Sequence, residues 1–446
     1  MENYEVLISL IENKKWKEVK EILNEMNEQD IAELFMELDE KHLTLAYRLL
    51  SKELAADVFV NMDSDYQETL IRAFSDTELR EVVDELYVDD AVDLIEEMPA
   101  TLVKRILRHT DPETRKSINE ILKYPEDSAG SIMTIEYVDL KRNMTVEDAF
   151  TRIRRTGVDK ETIYTCYVTD SKRKLKGVVT AKDLLLADES LSIRDIMETN
   201  VIFVSTFEDK EVVADMFQKY DLLALPVVDG EQRLVGIITV DDAIDVLQEE
   251  NTEDIEKMAA ITPTDKPYLK MSVFETYKKR IPWLLLLMVS ATFTGKIIQH
   301  FETALQAYVI LTSFIPMLMD TGGNCGGQAS VTVIRGLSLN EIEFRDTFKV
   351  IWKEVRIAFL CGITLALVNF VKLIVIDRVG VLVSLVVCVT MLLTIMLAKF
   401  IGCTLPILAK TVHLDPAVMA SPFITTIVDA LSLLIYFKIA SAVLGI

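Results

Sequence analysis

The stretch TALQAYVILTSFIPMLMDTGGNCGGQAS, residues 303–330, places a glycine-rich polar run directly after an apolar run. The apolar part is about long enough to enter a bilayer, where a crossing helix needs roughly 20 residues. The polar part has four glycines, Asn324 and Gln328, and it lacks Lys and Arg. Irregular backbone at membrane depth occurs only where protein buries it or where it lines a cavity. The stretch therefore indicates a chain that enters the membrane and interrupts its helix there.

This interruption has two interpretations. In the first, a loop exposes backbone carbonyls beside Asn324 and Gln328, and Pro316 kinks the span and frees further carbonyls. Such a loop suits a hard cation such as Mg²⁺, which takes oxygen ligands and keeps much of its water. In the second, the small residues allow neighbouring helices to pack closely. We predict the loop.

Apolar segments of membrane-crossing length flank this stretch. We predict five spans, at about 281–299, 304–326, 355–376, 380–405 and 422–444. Lys and Arg concentrate before the first span, between the second and third, and between the fourth and fifth. Because positive residues favour the cytoplasmic side, we predict a multi-pass plasma-membrane protein with a cytoplasmic N-terminus. An odd number of spans places the C-terminus outside.

An acidic residue, Asp429, lies about two turns into the last predicted span. A lone carboxylate at membrane depth costs on the order of 2.5–3.5 kcal/mol on insertion scales, and such residues usually have a function. We predict that Asp429 binds a cation in a water-filled path; the alternative is a hydrogen bond between helices. Asp415, at the edge of the same span, is either a helix cap or a vestibule charge.

Charge divides the chain into two parts. Residues 271–446 contain 14 Lys and Arg against 10 Asp and Glu, a net charge of +4, whereas residues 1–270 contain 33 against 60, a net charge of −27. Such an excess disfavours nucleic acids and attracts cations. The sequence shows no phosphate-binding loop, nucleophile–base pair or clustered metal ligands, so we do not expect an enzyme.

The acidic part has two patterns. In residues 1 to about 130, short apolar clusters recur, each preceded by polar residues. This repetition predicts stacked helical hairpins. YVTDSKRKLKGVVTAKDLLLA (167–187) then aligns with PVVDGEQRLVGIITVDDAIDV (226–246), and each copy reads strand, turn, strand and helix. This duplication predicts a pair of α/β domains. An acidic helix follows, whose like charges at helical spacing repel one another.

Together these motifs resemble the MgtE family of magnesium channels and transporters along essentially the full chain. The family's pore-span signature P-x-L-x-x-x-x-G-N-x-G is matched by Pro316, Leu318, Gly323, Asn324 and Gly326. DPAVMASPFITTIVD (415–429) resembles the last span, with Asp429 at the ion-binding position. The turns in YVTDS and PVVDG resemble those of tandem cystathionine-β-synthase (CBS) domains.

The resemblance implies a multidomain architecture. An all-α superhelical N-terminal domain precedes an α/β tandem CBS pair, a connecting helix and a five-span α-helical membrane domain. The implied bounds are 1–130 for the N-terminal domain, 131–198 and 199–250 for the CBS domains, 251–277 for the connecting helix and 278–446 for the membrane domain. It also implies a homodimer in a lipid bilayer, without a nucleic-acid partner.

The resemblance further implies the residues of three kinds of site. The pore would use Asp429, Asn324 and Gly323. Regulatory Mg²⁺ would bind at Asp57, Asp89, Asp93, Asp209, Glu211, Asp221, Asp242, Asp245, Glu250, Glu253 and Asp254. An adenine nucleotide such as ATP would contact Asp183 through its ribose.

These sites predict a magnesium-selective channel that cytosolic Mg²⁺ closes. At low Mg²⁺ the acidic faces repel one another, and at high Mg²⁺ bridging ions draw them together and hold the pore spans closed. The alternatives are a divalent-cation transporter coupled to H⁺ or Na⁺ and a ligand-sensing receptor without transport. Oxygen ligands do not separate Mg²⁺ from Mn²⁺, Co²⁺ or Ni²⁺.

Overall fold

The computed structural model describes residues 2–264, 266, 268, 269, 271–412, 414–419 and 421–445. It contains two compact units, Met1–Leu247 and Gln248–Ile446. The first unit holds the helical array and both α/β domains. The second holds the apolar helices.

Short helices build the first half of the first unit. They are α1 (Glu2–Glu12), α2 (Trp16–Leu23), α3 (Glu28–Met36), α4 (Glu40–Tyr47), α5 (Lys52–Val60), α6 (Ser64–Ala73), α7 (Asp76–Val83), α8 (Val88–Glu97), α9 (Ala100–His109) and α10 (Pro112–Ile121). Polar side chains start several of them: Asp39 accepts from the His42 N–H, and Ser75 forms a capping box with Glu78. Helices two apart pack together, as α5 does with α3 and α7, so the predicted superhelical array is confirmed.

Two three-stranded sheets follow. The first contains β1 (Asp139–Lys141), β2 (Thr165–Thr169) and β3 (Leu175–Thr180), and the second contains β4 (Val204–Ser205), β5 (Ala224–Val228) and β6 (Leu234–Thr239). In each sheet the first strand runs parallel to the second, and the second runs antiparallel to the third. Val168 pairs with Gly177 as Val227 pairs with Gly236, and a register shift follows in both copies. The duplication predicted from sequence is therefore a structural repeat.

Helices complete these two domains. They are α11 (Val146–Thr156), α12 (Ala181–Leu186), α13 (Ile193–Ile196), α14 (Lys210–Tyr220) and α15 (Val240–Met258). The last of these extends without a break from the end of β6 across residues 251–258, where the sequence predicts a separate connecting helix. The connecting segment is thus partly a continuation of the second CBS domain's own helix.

The second unit is helical. Its helices are α16 (Val273–His300), α17 (Glu302–Ala307), α18 (Ile315–Ser338), α19 (Thr347–Val375), α20 (Val381–Thr411) and α21 (Ser421–Leu444). Within the described residues, four stretches are long and apolar enough to cross a membrane: Val273–His300, Phe344–Val375, Val381–Thr411 and Pro416–Leu444. The predicted span at 304–326 is not among them, because those residues form α17, a 3₁₀ turn and only the first half of α18. The 24 residues of α18 could cross a bilayer by length, at about 1.5 Å each, but they are too polar to count as a span by composition.

The predicted glycine loop is wrong, because residues 321–330 lie inside the continuous helix α18. A Cβ atom added to Gly402 of α20 would lie 2.3 Å from the carbonyl oxygen of Gly326, and one added to Gly323 would lie 2.2 Å from Cγ2 of Thr425 on α21. These glycines therefore allow α18 to pack closely against α20 and α21, which is the alternative stated above. The predicted kink is also wrong. Pro316 lies in the first turn of α18, where its missing N–H costs no helical hydrogen bond.

Candidate metal centres

Asp429 provides the first candidate site, on the part of α21 that packs against α18. Its Oδ1 atom is buried and has no hydrogen-bond partner among the described residues. The hydroxyls that share that condition include those of Ser432, one turn further along α21, and Thr394 on α20. A Cβ atom on Gly322 would lie within 3.2 Å of the Ser432 hydroxyl and 2.7 Å of the Thr394 methyl, so both side chains border this glycine. Buried oxygens without donors are expected where a water molecule or cation is bound.

The polar face of α18 extends this site. Asp320 lies close enough to Asp429 for the two carboxylates to interact electrostatically. Asp320, Asn324 and Gln328 are exposed and follow one another at intervals of four residues, so they share one face of the helix. Such a stripe is unusual at membrane depth, where polar residues ordinarily face protein or a water-filled path.

A groove of about 750 Å³ lies beside this face and is lined by Asn324 and Gln328 of α18 together with Glu354 of α19 and Lys399 of α20. The Lys399 ammonium lies 3.4 Å from the Glu354 carboxylate, and both side chains are less than a tenth exposed. Sequence reasoning missed Asp320, Glu354 and Lys399. A search for every charge in or next to the predicted apolar segments finds all three.

Gly323 does not occupy the environment that the sequence predicts for it. It is buried within α18 and faces Thr425, and its backbone belongs to the helix instead of an open loop. Its role as a pore ligand remains a prediction, but the irregular backbone on which that prediction depended is absent at this position.

The second candidate site is an acidic cluster in the first unit, defined by Asp89, Asp90 and Asp93 of α8, Glu161, and Asp242 of α15. Burial, followed by repulsion from neighbouring carboxylates, raises the pKa of Asp90 to about 7, of Asp93 to about 7 and of Glu161 to about 8. Burial also raises the pKa of Asp242 to about 6 and that of Asp89 well above its ordinary value. Each carboxylate is therefore costly to ionise in the absence of a cation.

Three segments of the chain bring these acids together. α8 belongs to the helical array, and Glu161 precedes β2 of the first CBS domain. Asp242 lies in the first turn of α15 and accepts from the Thr239 hydroxyl at 2.5 Å. Asp89 is 8% exposed, and its Oδ1 atom has no hydrogen-bond partner among the residues described. Three of the predicted regulatory residues, Asp89, Asp93 and Asp242, thus meet in one cluster. The structure adds Asp90 and Glu161 to them.

Other predicted acids lie around or away from this cluster. Asp57 is exposed on α5, and its charge contributes to the raised pKa of Asp90. Burial and then Asp241 raise the pKa of Asp245, which is exposed on α15. Asp209 caps α14 by accepting from the Glu211 N–H at 2.9 Å, and Asp221 ends the same helix with φ of 52°.

The end of α15 carries a separate ionic group within the second unit. Lys257 lies 2.6 Å from Glu253 and 2.7 Å from Asp415, and Asp415 also accepts from the Ala417 N–H at 2.8 Å. Burial and then Asp415 raise the pKa of Asp254. Asp415 is therefore a backbone cap, as one of its two interpretations predicts, and its carboxylate is also paired with Lys257, whereas the vestibule charge stays a prediction. Glu250 lies on the same helix, one turn before Asp254.

Asp183 occupies the position in the first CBS domain that Asp242 occupies in the second. It accepts from the Thr180 hydroxyl at 2.6 Å and closes a capping box at the start of α12, while its side chain is exposed. Asp183 is thus positioned by the helix start, with one face of the carboxylate open to a ligand.

A preformed metal cage is absent from the described part of the chain, where no three His, Cys, Asp or Glu side chains converge on one point. The acidic cluster nevertheless fits a divalent cation by its chemistry. It supplies oxygen ligands, one of which, Oδ1 of Asp89, is buried and has no donor within the described residues, and mutual repulsion opposes its ionisation. A cation would therefore have to draw these carboxylates together.

Comparison with known proteins gives the same division of the chain. A family model described as divalent cation transporter MgtE matches residues 315–439, the MgtE intracellular N domain model matches 26–127, and CBS domain models match 129–190 and 193–249. The magnesium transporter MgtE of Thermus thermophilus is 37% identical over 96% of this chain and 95% of its own. The chain belongs to the MgtE family. The Bacillus subtilis magnesium transporter MgtE is 33% identical over 98% of this chain and 96% of its own.

Solved structures support the fold of the first unit. The cytosolic domain of the Mg²⁺ channel MgtE in complex with ATP matches with a TM-score of 0.52 and 38% identity, over 55% of this chain and 99% of that one. The soluble part of a magnesium transporter matches with a TM-score of 0.53 and 32% identity, over 56% and 98%. The predicted fold class of this MgtE family member is confirmed, apart from the span count corrected above. Its full-length relatives are named as transporters and not as enzymes.

Proposed function

We propose that the protein is a magnesium channel of the plasma membrane that cytosolic Mg²⁺ closes. The observation that carries this proposal is the buried Oδ1 atom of Asp429, which accepts from no donor in the described residues and lies beside the polar face of α18. A carboxylate so placed is costly in a bilayer unless a cation or water accompanies it. The names of the full-length relatives favour Mg²⁺ as that cation.

In this proposal the ion passes along α18. Asp429 and Asp320 supply negative charge, and Asn324 and Gln328 supply neutral oxygens at successive turns. Asn324 is exposed and can contact a largely hydrated ion, which suits the reluctance of Mg²⁺ to lose water. A membrane potential of 100 mV contributes ~2.3 kcal/mol per charge to inward movement.

The gate in this proposal is the acidic cluster. At low Mg²⁺ the carboxylates of α8, Glu161 and Asp242 repel one another, and bound Mg²⁺ replaces that repulsion by attraction. A ligand shifts such an equilibrium only through its differential affinity for the two states, and a near-complete shift needs ~5.5 kcal/mol. Several weak sites can supply this together.

Helix α15 gives the cluster a route to the membrane helices. It carries Asp242 in its first turn and Lys257 in its last turn, and Lys257 is paired with Asp415, six residues before α21 begins. A change in the position of α15 therefore reaches the chain that leads into the Asp429 helix. Glu250, Glu253 and Asp254 on the same helix are proposed as further regulatory ligands.

A transporter coupled to H⁺ or Na⁺ is the second candidate. The buried Lys399–Glu354 pair favours it, since intramembrane ionisable pairs occur in proton relays. The homodimer, the cytoplasmic N-terminus and binding of ATP at Asp183 are also proposals. The related cytosolic domain solved in complex with ATP supports nucleotide binding.

Electrical recording from purified protein in liposomes tests the proposal. A channel gives current that follows voltage, ignores pH and Na⁺ gradients, and stops when Mg²⁺ is raised on the cytosolic side. Uptake that requires a proton or Na⁺ gradient would instead support the coupled transporter, and absence of any divalent flux would reject both.

A further inference from the structure

A cavity of about 370 Å³ opens on the first CBS domain and has a basic lining. Its charged residues are Asp139 of β1, Arg152 of α11, Lys160, and Arg173 in the turn between β2 and β3. Tyr137 and Thr169 contribute hydroxyl groups. Three cations therefore share one pocket with a single carboxylate.

Hydrogen-bond donors in this pocket exceed the acceptors. Asp139 is already bonded to Arg152 and to Lys141, the latter at 2.9 Å. Arg152 Nε is buried without a hydrogen-bond partner among the described residues. Arg173 donates to the Tyr137 hydroxyl at 3.0 Å, which leaves most of the five guanidinium N–H groups for other acceptors. Arg152 Nε thus lacks an acceptor in the described part of the chain, and an anion would provide one.

The surrounding charge agrees with this conclusion. Residues 131–198 contain 12 Lys and Arg and 12 Asp and Glu, so they are neutral overall. Residues 1–270 as a whole contain 33 against 60. An anion that the rest of the acidic part would repel can therefore approach this domain.

The second CBS domain shows that the fold does not require these charges. Leu140 on β1 pairs with Val168, and Val204 on β4 pairs with the corresponding Val227, so Leu140 and Val204 are equivalent. The residues just before them, Asp139 and Phe203, are therefore equivalent as well. Arg152 follows the helix cap Thr145 by seven residues, and Met216 follows the helix cap Asp209 by the same number, so Met216 occupies the position of Arg152. Arg173 and Gln232 occupy the same turn, each with φ of 62°. One copy of the fold thus holds Phe, Met and Gln where the other holds Asp, Arg and Arg.

We propose that this pocket binds a phosphate group, either as free phosphate or as a phosphomonoester. Guanidinium groups match phosphate oxygens in bidentate geometry, and Arg152 and Arg173 approach the cavity from two different elements. The site is distinct from that of Asp183. Asp183 bonds to Thr180, which pairs with Thr165 at one end of the β2–β3 ladder, whereas Thr169 and Arg173 lie at the other end.

Calorimetric titration of the full-length protein in nanodiscs, in Mg²⁺-free buffer, tests this assignment. Inorganic phosphate is one probe and AMP is the other, and we expect saturable binding of at least one. Tighter binding of AMP than of phosphate, retained in Asp183→Asn and weakened in Arg173→Gln, identifies a phosphomonoester site in this pocket. Equal or tighter binding of phosphate identifies a site for the free ion.

The variants are chosen from the second copy of the fold. Arg173→Gln and Arg152→Met introduce the residues that Gln232 and Met216 show to be compatible with this backbone. Each should weaken phosphate binding about tenfold or more, as expected for the loss of a charge-assisted hydrogen bond. Arg155→Gln, which removes the same charge from an exposed position on α11, should leave binding unchanged.

Three results would overturn the proposal. They are the absence of saturable binding of either probe to the unmodified protein, unchanged affinity in both Arg173→Gln and Arg152→Met, and loss of inorganic phosphate binding in Asp183→Asn. The last would assign the anion to the other end of the sheet. Because Arg173 is exposed, its variant remains informative if Arg152→Met fails to fold.

Discussion

The acidic cluster of the first unit and Asp429 of the second unit present the same chemical group in opposite settings. The cluster gathers five carboxylates from three segments of the chain, and its members repel one another. Asp429 is repelled by the neighbouring carboxylate of Asp320 and lies between helices that glycines bring into close contact. Mutual repulsion among carboxylates on separate segments suits a sensor, because a bound cation can neutralise it. A single acid in a rigid frame suits a path, because an ion must also leave it.

The largest effect is expected from Asp429→Asn. This change removes the buried charge from the proposed ion path and keeps the size of the side chain. We expect divalent-cation flux in liposomes to fall ~100-fold or more, since losing about 3 kcal/mol of ion stabilisation corresponds to that factor. Glu302→Gln, at an exposed position of the same unit, is the matched control and should keep its flux. Undiminished flux in Asp429→Asn would show that the ion travels elsewhere.

Two glycine variants test whether the glycines serve the close packing of the apolar helices. Gly402→Ala places a Cβ atom 2.3 Å from a backbone oxygen of α18, so the helices must separate, at a cost of about 1–3 kcal/mol in the free energy of unfolding. Gly295→Ala, where no atom lies within 4 Å of the added Cβ, should leave the midpoint of thermal unfolding unchanged or higher. Equal behaviour of the two variants would contradict close packing as the purpose of the glycines.

Neutralising carboxylates of the acidic cluster should change the Mg²⁺ dependence of gating and leave ion conduction intact. In the triple variant Asp89→Asn, Asp93→Asn, Asp242→Asn, the Mg²⁺ concentration that closes the pathway should rise about tenfold or more, because the repulsion relieved by the ion is gone. A triple change of exposed acids, Glu21→Gln, Glu33→Gln, Glu37→Gln, removes equal charge outside the cluster. Similar closing concentrations in the two triple variants, measured by current recording, would mean that net charge and not the cluster governs the gate.

The sequence predicted most of the architecture because repetition and hydropathy are local signals. The duplicated strand–turn–strand–helix pattern predicted the antiparallel pairs β2–β3 and β5–β6, but not the parallel strands β1 and β4. The family resemblance, and not a local pattern, grouped Asp89, Asp93 and Asp242 as one class of site. The glycine stretch was misinterpreted because glycine permits a loop and close helix packing equally well, and only the neighbours on α20 and α21 distinguish them. Glu161 was missed for a similar reason, since its burial beside α8 depends on contacts distant in sequence.

The smallest expected effect is a pH dependence of the free energy of unfolding that arises from the acidic cluster. Its carboxylates have folded-state pKa values of about 6 to 8, above their ordinary values near 4, so the folded form binds protons more tightly than the unfolded form between these limits. Stability without Mg²⁺ should therefore rise as pH falls from 8 towards 5, which is opposite to the behaviour of salt-bridged carboxylates. Thermal unfolding of the full-length protein, followed at several pH values, measures this trend. Saturating Mg²⁺ should flatten it, because the ion replaces the protons. The triple variant of the cluster should show a weaker trend, because only Asp90 and Glu161 still titrate in this range. A trend that persists unchanged in that variant would place the titrating groups outside the cluster and remove the electrostatic basis of the proposed gate.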